Sequence, residues 1–198
     1  MRSPNSCGYI SPSKMRFLMK IWKNTLDLIM RLIIINSNNY TFRVSKEITI
    51  YFGTMSGNSE ELADKSKEFL TEKNHNVSIV NLEDATPDSL TDTSYALFIV
   101  STWGEGEPPV DAEDFFEALQ GSEIDLKTVQ YGIMGLGDTA YELFNEFARQ
   151  LDQELERLGA IKITDRVEAD VDYEDDFDSW IAKVAEIWAE NAVASVDT

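Results

Sequence analysis

The chain has 198 residues, 43% of them hydrophobic and 27% charged, enough for one domain with a sizeable core and too few for two comfortable ones. Its formal net charge of −19 argues against nucleic acid and anionic membrane as partners, because both would repel the folded surface, and favours a basic partner. A single cysteine, Cys7, and a single histidine, His75, exclude a disulfide framework, a zinc or iron–sulfur site built on cysteines, and a multi-histidine metal site within one chain.

The first 46 residues differ from the rest. They hold Arg2, Lys14, Arg16, Lys20, Lys23, Arg31, Arg43 and Lys46 against Asp27 alone, so the acidic excess lies entirely beyond them. The stretch "MKIWKNTLDLIMRLIII" has the spacing of a basic amphipathic helix. Its longest unbroken apolar run, Leu32 to Ile35, is far short of the roughly 20 residues that span a bilayer, and no small-residue cleavage site follows it. Three readings stand: a membrane-surface or targeting helix, an arm that folds back on the acidic domain, or an over-extended gene start. The last is favoured, because organised sequence begins abruptly at "KEITIYFG".

From there strand and helix patterns alternate. "ITIYF" (48–52) reads as a strand, and "NSEELADKSKEFLTEK" as a helix with Leu62, Phe69 and Leu70 on one stripe. "NVSIV" (76–80), with His75 in the turn before it, and "YALFIV" (95–100) are strands. "DAEDFFEALQ" is a helix with an acidic cap expected at Asp111, and "VQYGIM" (129–134) is a fourth strand. "YELFNEFARQLDQELERLGA" predicts a long amphipathic helix ending at Gly159. A weaker fifth strand, "AIKITDRV" (160–167), precedes the closing helix "YEDDFDSWIAKVAEIWAENA". This alternation implies a doubly wound α/β domain, a five-stranded parallel sheet flanked by helices on both faces, over residues 47–190 with a short tail at 191–198. In such sheets a ligand sits beyond the carboxyl ends of the strands.

Three loops at those ends stand out. "GTMSGNSE" after the first strand offers backbone amides at Gly53 and Gly57, a helix start, and hydroxyl or amide groups on Thr54, Ser56, Asn58 and Ser59. It contains neither a Walker "GK[ST]" nor G-x-G-x-x-G. It suits a monophosphate that is held rather than transferred; it also suits an ordinary turn with a Ser/Asn helix cap. "STWGEGEPPVDA" (101–112) is stiffened by two glycines and two prolines and places Trp103 just past a strand end, as a stacking platform or as a residue packed on a neighbouring loop. "GLGDTAYELFN" (135–145) brings two more glycines, Tyr141 and a possible helix cap, Asp138. Together the loops describe a flat, phosphorylated aromatic ligand clamped between two rings.

In order and spacing these pieces, with "EADVDYEDDFDSW" before the last helix, resemble the flavodoxin-like family, specifically short-chain flavodoxins and the FMN-binding domains of diflavin reductases of the sulfite reductase and cytochrome P-450 reductase type. The resemblance covers about residues 47–190 and implies a sheet of order 2-1-3-4-5 with FMN as cofactor. It implies that Thr54, Ser56, Gly57, Asn58 and Ser59 hold the phosphate, with Met55 in the same loop where many relatives have glutamine. It places Ser101 and Thr102 along the ribityl chain and ring edge, Trp103 on one face of the ring, and Gly104 and Gly106 around it. Leu136, Gly137 and Asp138 would meet the ring and its polar edge, Tyr141 would cover the other face, Phe144 and Asn145 would support the pocket, and Asp170 would lie near the ring.

The function implied is that of a flavodoxin, a cytoplasmic and monomeric carrier passing single electrons between a reductase and an acceptor protein. Aromatic stacking and nearby carboxylates should disfavour negative charge on the reduced ring and lower its potential. No protein nucleophile, general base or metal is expected. The alternative is an FMN-dependent oxidoreductase, or the FMN subunit of a larger reductase, acting on a quinone- or nitro-type substrate. The acidic runs "EGEPPVDAEDFFE" and "EADVDYEDDFD" flank the expected ring edge and could steer basic redox partners toward it.

Overall fold

The structure is a computed structural model in which residues 47–194 are described. The basic extension 1–46, its amphipathic stretch, and the last residues of the tail, 195–198, lie outside the described residues. The elements in chain order are β1 (Glu47–Gly53), α1 (Asn58–Glu72), β2 (Asn76–Asn81), a 3-10 turn (Leu82–Asp84), α2 (Pro87–Thr91), β3 (Tyr95–Ser101), α3 (Val110–Gln120), β4 (Gln130–Leu136), α4 (Glu146–Arg157), β5 (Ile161–Lys162), β6 (Val167–Ala169) and α5 (Glu174–Ala194).

All strand pairs are parallel, in the order β2-β1-β3-β4-β5, with β6 also pairing β4. The most apolar segment, YALFIVS, lies at the centre as β3, buried along its length until Ser101, as a strand covered on both faces requires. Period-two alternation splits its side chains between two cores. Ala96, Phe98 and Val100 join Tyr51, Tyr131 and Ile133 under Phe115, Phe116 and Leu119 of α3 and Phe147, Leu151 and Leu155 of α4. Tyr95, Leu97 and Ile99 join Ile48, Ile50 and Phe52 against Leu62 and Leu70 of α1 and Trp180, Ile181, Val184 and Trp188 of α5. The expected doubly wound architecture and strand order are therefore those of the molecule. From β1 the chain moves outward to β2 and then returns across β1 to β3, so the order reverses between β1 and β3. A ligand crevice opens at such a reversal, a rule for which flavodoxins are one of the type cases.

Several local features depart from the sequence expectations. The long helix starts at Glu146, not Tyr141. Asn145 takes a left-handed conformation (φ 56) ahead of it, and residues 141–145 form a turn. Asp138 therefore does not cap α4; its carboxylate accepts the Ala140 N–H at 2.8 Å. The helix of the second loop begins at Val110 after Pro109, with no side-chain cap, and Asp111 turns its carboxylate elsewhere, as described below. Finally, the fifth strand is split. Ile161 opposes Gln130, whereas Val167 opposes Met134, so six residues of this strand advance against four of β4. The short helix α2 and the 3-10 turn between β2 and β3 were not expected.

The break in the fifth strand coincides with an ion-pair network. Asp152 of α4, 3% exposed, accepts the Tyr131 hydroxyl at 2.7 Å and Lys162 Nζ at 2.9 Å, and is bonded by Arg166. Arg166 and Arg149 share Glu168. Burial works against the Glu168 carboxylate, but the two guanidinium groups outweigh it and hold its pKa below the ordinary value. Burial first, and then Asp152, push the Tyr131 phenol upward. The network ties both halves of the strand to α4.

Candidate functional site

The three loops singled out in the sequence lie at the carboxyl ends of β1, β3 and β4 and are joined by hydrogen bonds. In the first, the Thr54 N–H donates to both oxygens of Asp111, at 3.0 and 3.1 Å. The Thr54 hydroxyl oxygen accepts the Gly57 N–H at 2.9 Å. Gly57 has φ 89, and a Cβ built on it would meet nothing within 4 Å. Left-handed backbone explains glycine there, and the space beside it is open. Helix α1 then starts with no side-chain cap. Ser59, in its first turn, is fully buried, and its Oγ has no hydrogen-bond partner among the described residues. An unpartnered hydroxyl at a helix start, beside uncapped amides, is a donor set waiting for an anion. Ser56 is exposed, Asn58 is half-buried, and Met55 is exposed.

The second loop folds back on itself. Trp103 and Glu107 exchange backbone bonds, each N–H donating to the other's carbonyl at 2.9 Å. This fold holds Trp103 out from the sheet edge, 56% exposed. Glu107 also accepts the Glu105 N–H across the tip. Gly104 and Gly106 have φ 52 and 97. Gly106 is buried, and a Cβ there would lie 3.1 Å from side-chain carbons of both Leu143 and Glu146, so this glycine lets the second loop lie directly on the third. Thr102 makes the same junction: its N–H donates to the Leu136 carbonyl at 2.9 Å and its hydroxyl accepts the Phe147 N–H at 3.2 Å. Ser101 points toward the first loop, its hydroxyl 3.5 Å from the Gly53 carbonyl.

The third loop is anchored from beneath. The Gly137 N–H and the Asn145 side-chain amide both donate to the Ala169 carbonyl, at 3.0 and 3.1 Å. Asn145 is fully buried, so its part in the site is support from below. Phe144 lies against Gly137, where a Cβ would come within 2.9 Å of its ring. Leu136 is buried at the strand end, Asp138 is half-buried, and Tyr141 stands out at 61% exposed. Asp170 accepts both the N–H and the hydroxyl of Thr139, bonds that hold its pKa below the ordinary carboxylate value.

Thus a donor-rich first loop, two exposed aromatic rings on stiff turns, and a backed polar loop share one sheet edge. That set fits a planar ligand with an anionic tail. The first loop supplies no cation, so hydroxyls and amides must hold the anion. Asp111 and Thr139 were not among the site residues expected from sequence. Asp111 looked like a helix cap and Thr139 carried no signal of its own; only the fold brings each to its partner.

Among the described residues no group of acidic, histidine or cysteine side chains could hold a metal ion, and no helix is long and apolar enough to cross a membrane. The family model described as "Flavodoxin" matches residues 50–180. The flavoprotein alpha-component of NADPH sulfite reductase from Bacillus subtilis is 36% identical over 142 residues, covering 71% of this chain and 24% of that protein. NADPH–cytochrome P-450 reductase of Cavia porcellus is 33% identical over 149 residues, covering 70% and 21%. The chain thus spans under a quarter of the length of these relatives. Among solved structures, a flavodoxin of Streptococcus pneumoniae TIGR4 superposes with TM-score 0.66 at 28% identity, covering 73% of this chain and 99% of that one. Flavodoxin 2 of Bacillus cereus superposes with TM-score 0.63 at 33% identity, covering 73% and 99%. With the fold, the three loops and these matches in agreement, the chain belongs to the flavodoxin family of flavin-binding electron-transfer proteins.

Proposed function

We propose that the flavin is FMN and that the protein is a cytoplasmic, monomeric one-electron carrier. The observation that carries this reading is the first loop, where an unpartnered buried Ser59 hydroxyl, uncapped α1 amides and open space beside Gly57 form a site for a phosphate. Thr54, Ser56, Asn58 and Ser59, with the Met55 backbone, would hold that phosphate, and Gly57, its N–H taken by the Thr54 hydroxyl oxygen, would shape the turn around it. Trp103 and Tyr141 would enclose the ring, and Ser101, Thr102, Gly104, Gly106, Leu136, Gly137 and Asp138 would line its edges. When bound, FMN supplies the one-electron chemistry; the chain orients it and excludes water from its faces.

The rim selects the partner. Glu105, Glu107, Glu142 and Asp172 are exposed on the loops of this edge, while the nearby cation Arg149 is already committed to Glu168 and Glu146. A reductase and an acceptor with basic faces would be drawn to such a surface. The reading is tested by the flavin spectrum of the purified protein, by titrating the apoprotein with FMN, and by adding NADPH alone. A yellow protein that takes up FMN stoichiometrically and leaves NADPH untouched supports a carrier. A colourless protein that rejects FMN overturns it.

The likeness to the sulfite reductase flavoprotein component supports a second reading, an FMN subunit working with a separate reductase. It differs in one outcome: a stable complex with such a reductase, surviving gel filtration, in place of transient encounters.

A further inference from the structure

We infer that Asp111 is a positioning residue for phosphate recognition. From the start of α3 it fixes the backbone of the first loop, and so sets the preference of the site for FMN over the unphosphorylated flavin. The inference rests on the FMN reading above.

A carboxylate in the first turn of a helix ordinarily serves that helix's own free amides. Asp111 instead reaches the Thr54 N–H, 57 residues earlier in the chain, with both oxygens. Thr54 in turn fixes Gly57 through its hydroxyl oxygen, which leaves the hydroxyl proton free to donate outward. Two of the loop's amides are thus used to set its shape. The junction is tight as well: a Cβ on Gly53 would lie 3.0 Å from Ala112 Cβ and 3.2 Å from Pro109 Cγ. The loop and the start of α3 are one packed unit.

The sign of the charge makes this arrangement informative. A carboxylate beside an anion site repels the anion. Its place at Thr54 is therefore understandable through the order it gives the loop: amides held in a binding shape before the ligand arrives cost less to engage. Shape and charge can be separated by substitution. Asp111→Asn keeps an acceptor for the Thr54 N–H and removes the charge. Asp111→Ala removes both.

The experiment titrates the full-length apoprotein with FMN and with riboflavin, following quenching of flavin fluorescence, for the parent chain and both variants. The alanine variant is expected to lose about tenfold or more in FMN affinity with riboflavin affinity unchanged, and the asparagine variant to bind FMN at least as tightly as the parent. Should the alanine variant not fold, Asp111→Ser, too short to reach the Thr54 amide, replaces it with the same expectation. The inference is overturned if the shortened variant binds FMN like the parent, if it loses FMN and riboflavin affinity by the same factor, or if the asparagine variant is as weak as the alanine one. Failure of the parent chain itself to bind FMN would instead overturn the FMN reading.

Discussion

Asp170 holds Thr139 at two atoms: its carboxylate accepts the Thr139 N–H at 3.1 Å and the Thr139 hydroxyl at 2.5 Å. One end of this clasp lies in the third loop and the other just past β6, so it closes the loop that carries Tyr141 onto the sheet. The same carboxylate accepts the Val171 N–H at 2.8 Å.

That clasp gives a pH dependence with a definite sign. The Thr139 hydroxyl first, then the Thr139 and Val171 amides, lower the Asp170 pKa from 3.8. A carboxyl whose folded value is depressed contributes stability above its unfolded value and loses it as the pH falls through the folded one. Asp170→Asn should therefore melt below the parent at about pH 7, and the difference should shrink toward about pH 3, as the pH drops below the unfolded value and approaches the depressed folded one. Melting curves of the two proteins at both pH values check this; a gap that persists undiminished in acid would exclude the clasp as its source.

Trp103 is more than half exposed, so its removal should do little to the apoprotein. Trp103→Ala is expected to leave the melting temperature of the flavin-free chain nearly unchanged and to weaken flavin binding about tenfold. Affinity and midpoint potentials both equal to those of the parent would remove Trp103 from the site.

At Gly135, β4 lies close against the start of α4. A Cβ there would lie 2.4 Å from Asn145 Oδ1 and 2.6 Å from Ala148 Cβ, and the alanine methyl has no rotamer with which to yield. Gly135→Ala should destabilise the fold by about 1–3 kcal/mol and displace Asn145 from beneath the third loop. Urea denaturation measures the first effect, and flavin affinity the second.

Asp152 is the buried acceptor for Tyr131, Lys162 and Arg166. Asp152→Ala leaves the buried Tyr131 phenol without its acceptor, while Lys162 keeps Glu156 and Arg166 keeps Glu168, a loss of about 1–3 kcal/mol. Chemical denaturation checks it. A cost below about 1 kcal/mol, the range of exposed pairs, would show that water replaces the carboxylate.

Electron exchange with a basic partner should slow as ionic strength rises, because salt screens the attraction to Glu105, Glu107 and their neighbours. Stopped-flow rates at low and high salt, with the same partner, decide this. Rates independent of salt would exclude electrostatic steering.

By itself the sequence determined the layered architecture, because the period of its apolar residues is a local property. The runs 48–52, 95–100 and 129–134 can bury both faces only as central strands, and the less buried run 76–80 takes the edge. Its glycine-rich loops also marked the edge where a ligand would sit, since glycine and helix-start residues act within a few positions of one another. What only the tertiary structure decided is which of several available partners each polar side chain takes, often one distant in the chain. Asp111 and Asp138 both carried the local signature of a helix cap. One turned to Thr54, 57 residues away, and the other to the Ala140 amide inside a turn. The late start of α4 followed from Asn145, whose side chain is drawn to the Ala169 carbonyl. The split fifth strand accompanied cations reaching Asp152 and Glu168. A carboxylate or amide near a helix start has several acceptable partners of similar energy, and which one it takes is settled by the packing that brings a particular group, such as the Thr54 amide for Asp111, within about 3 Å of it.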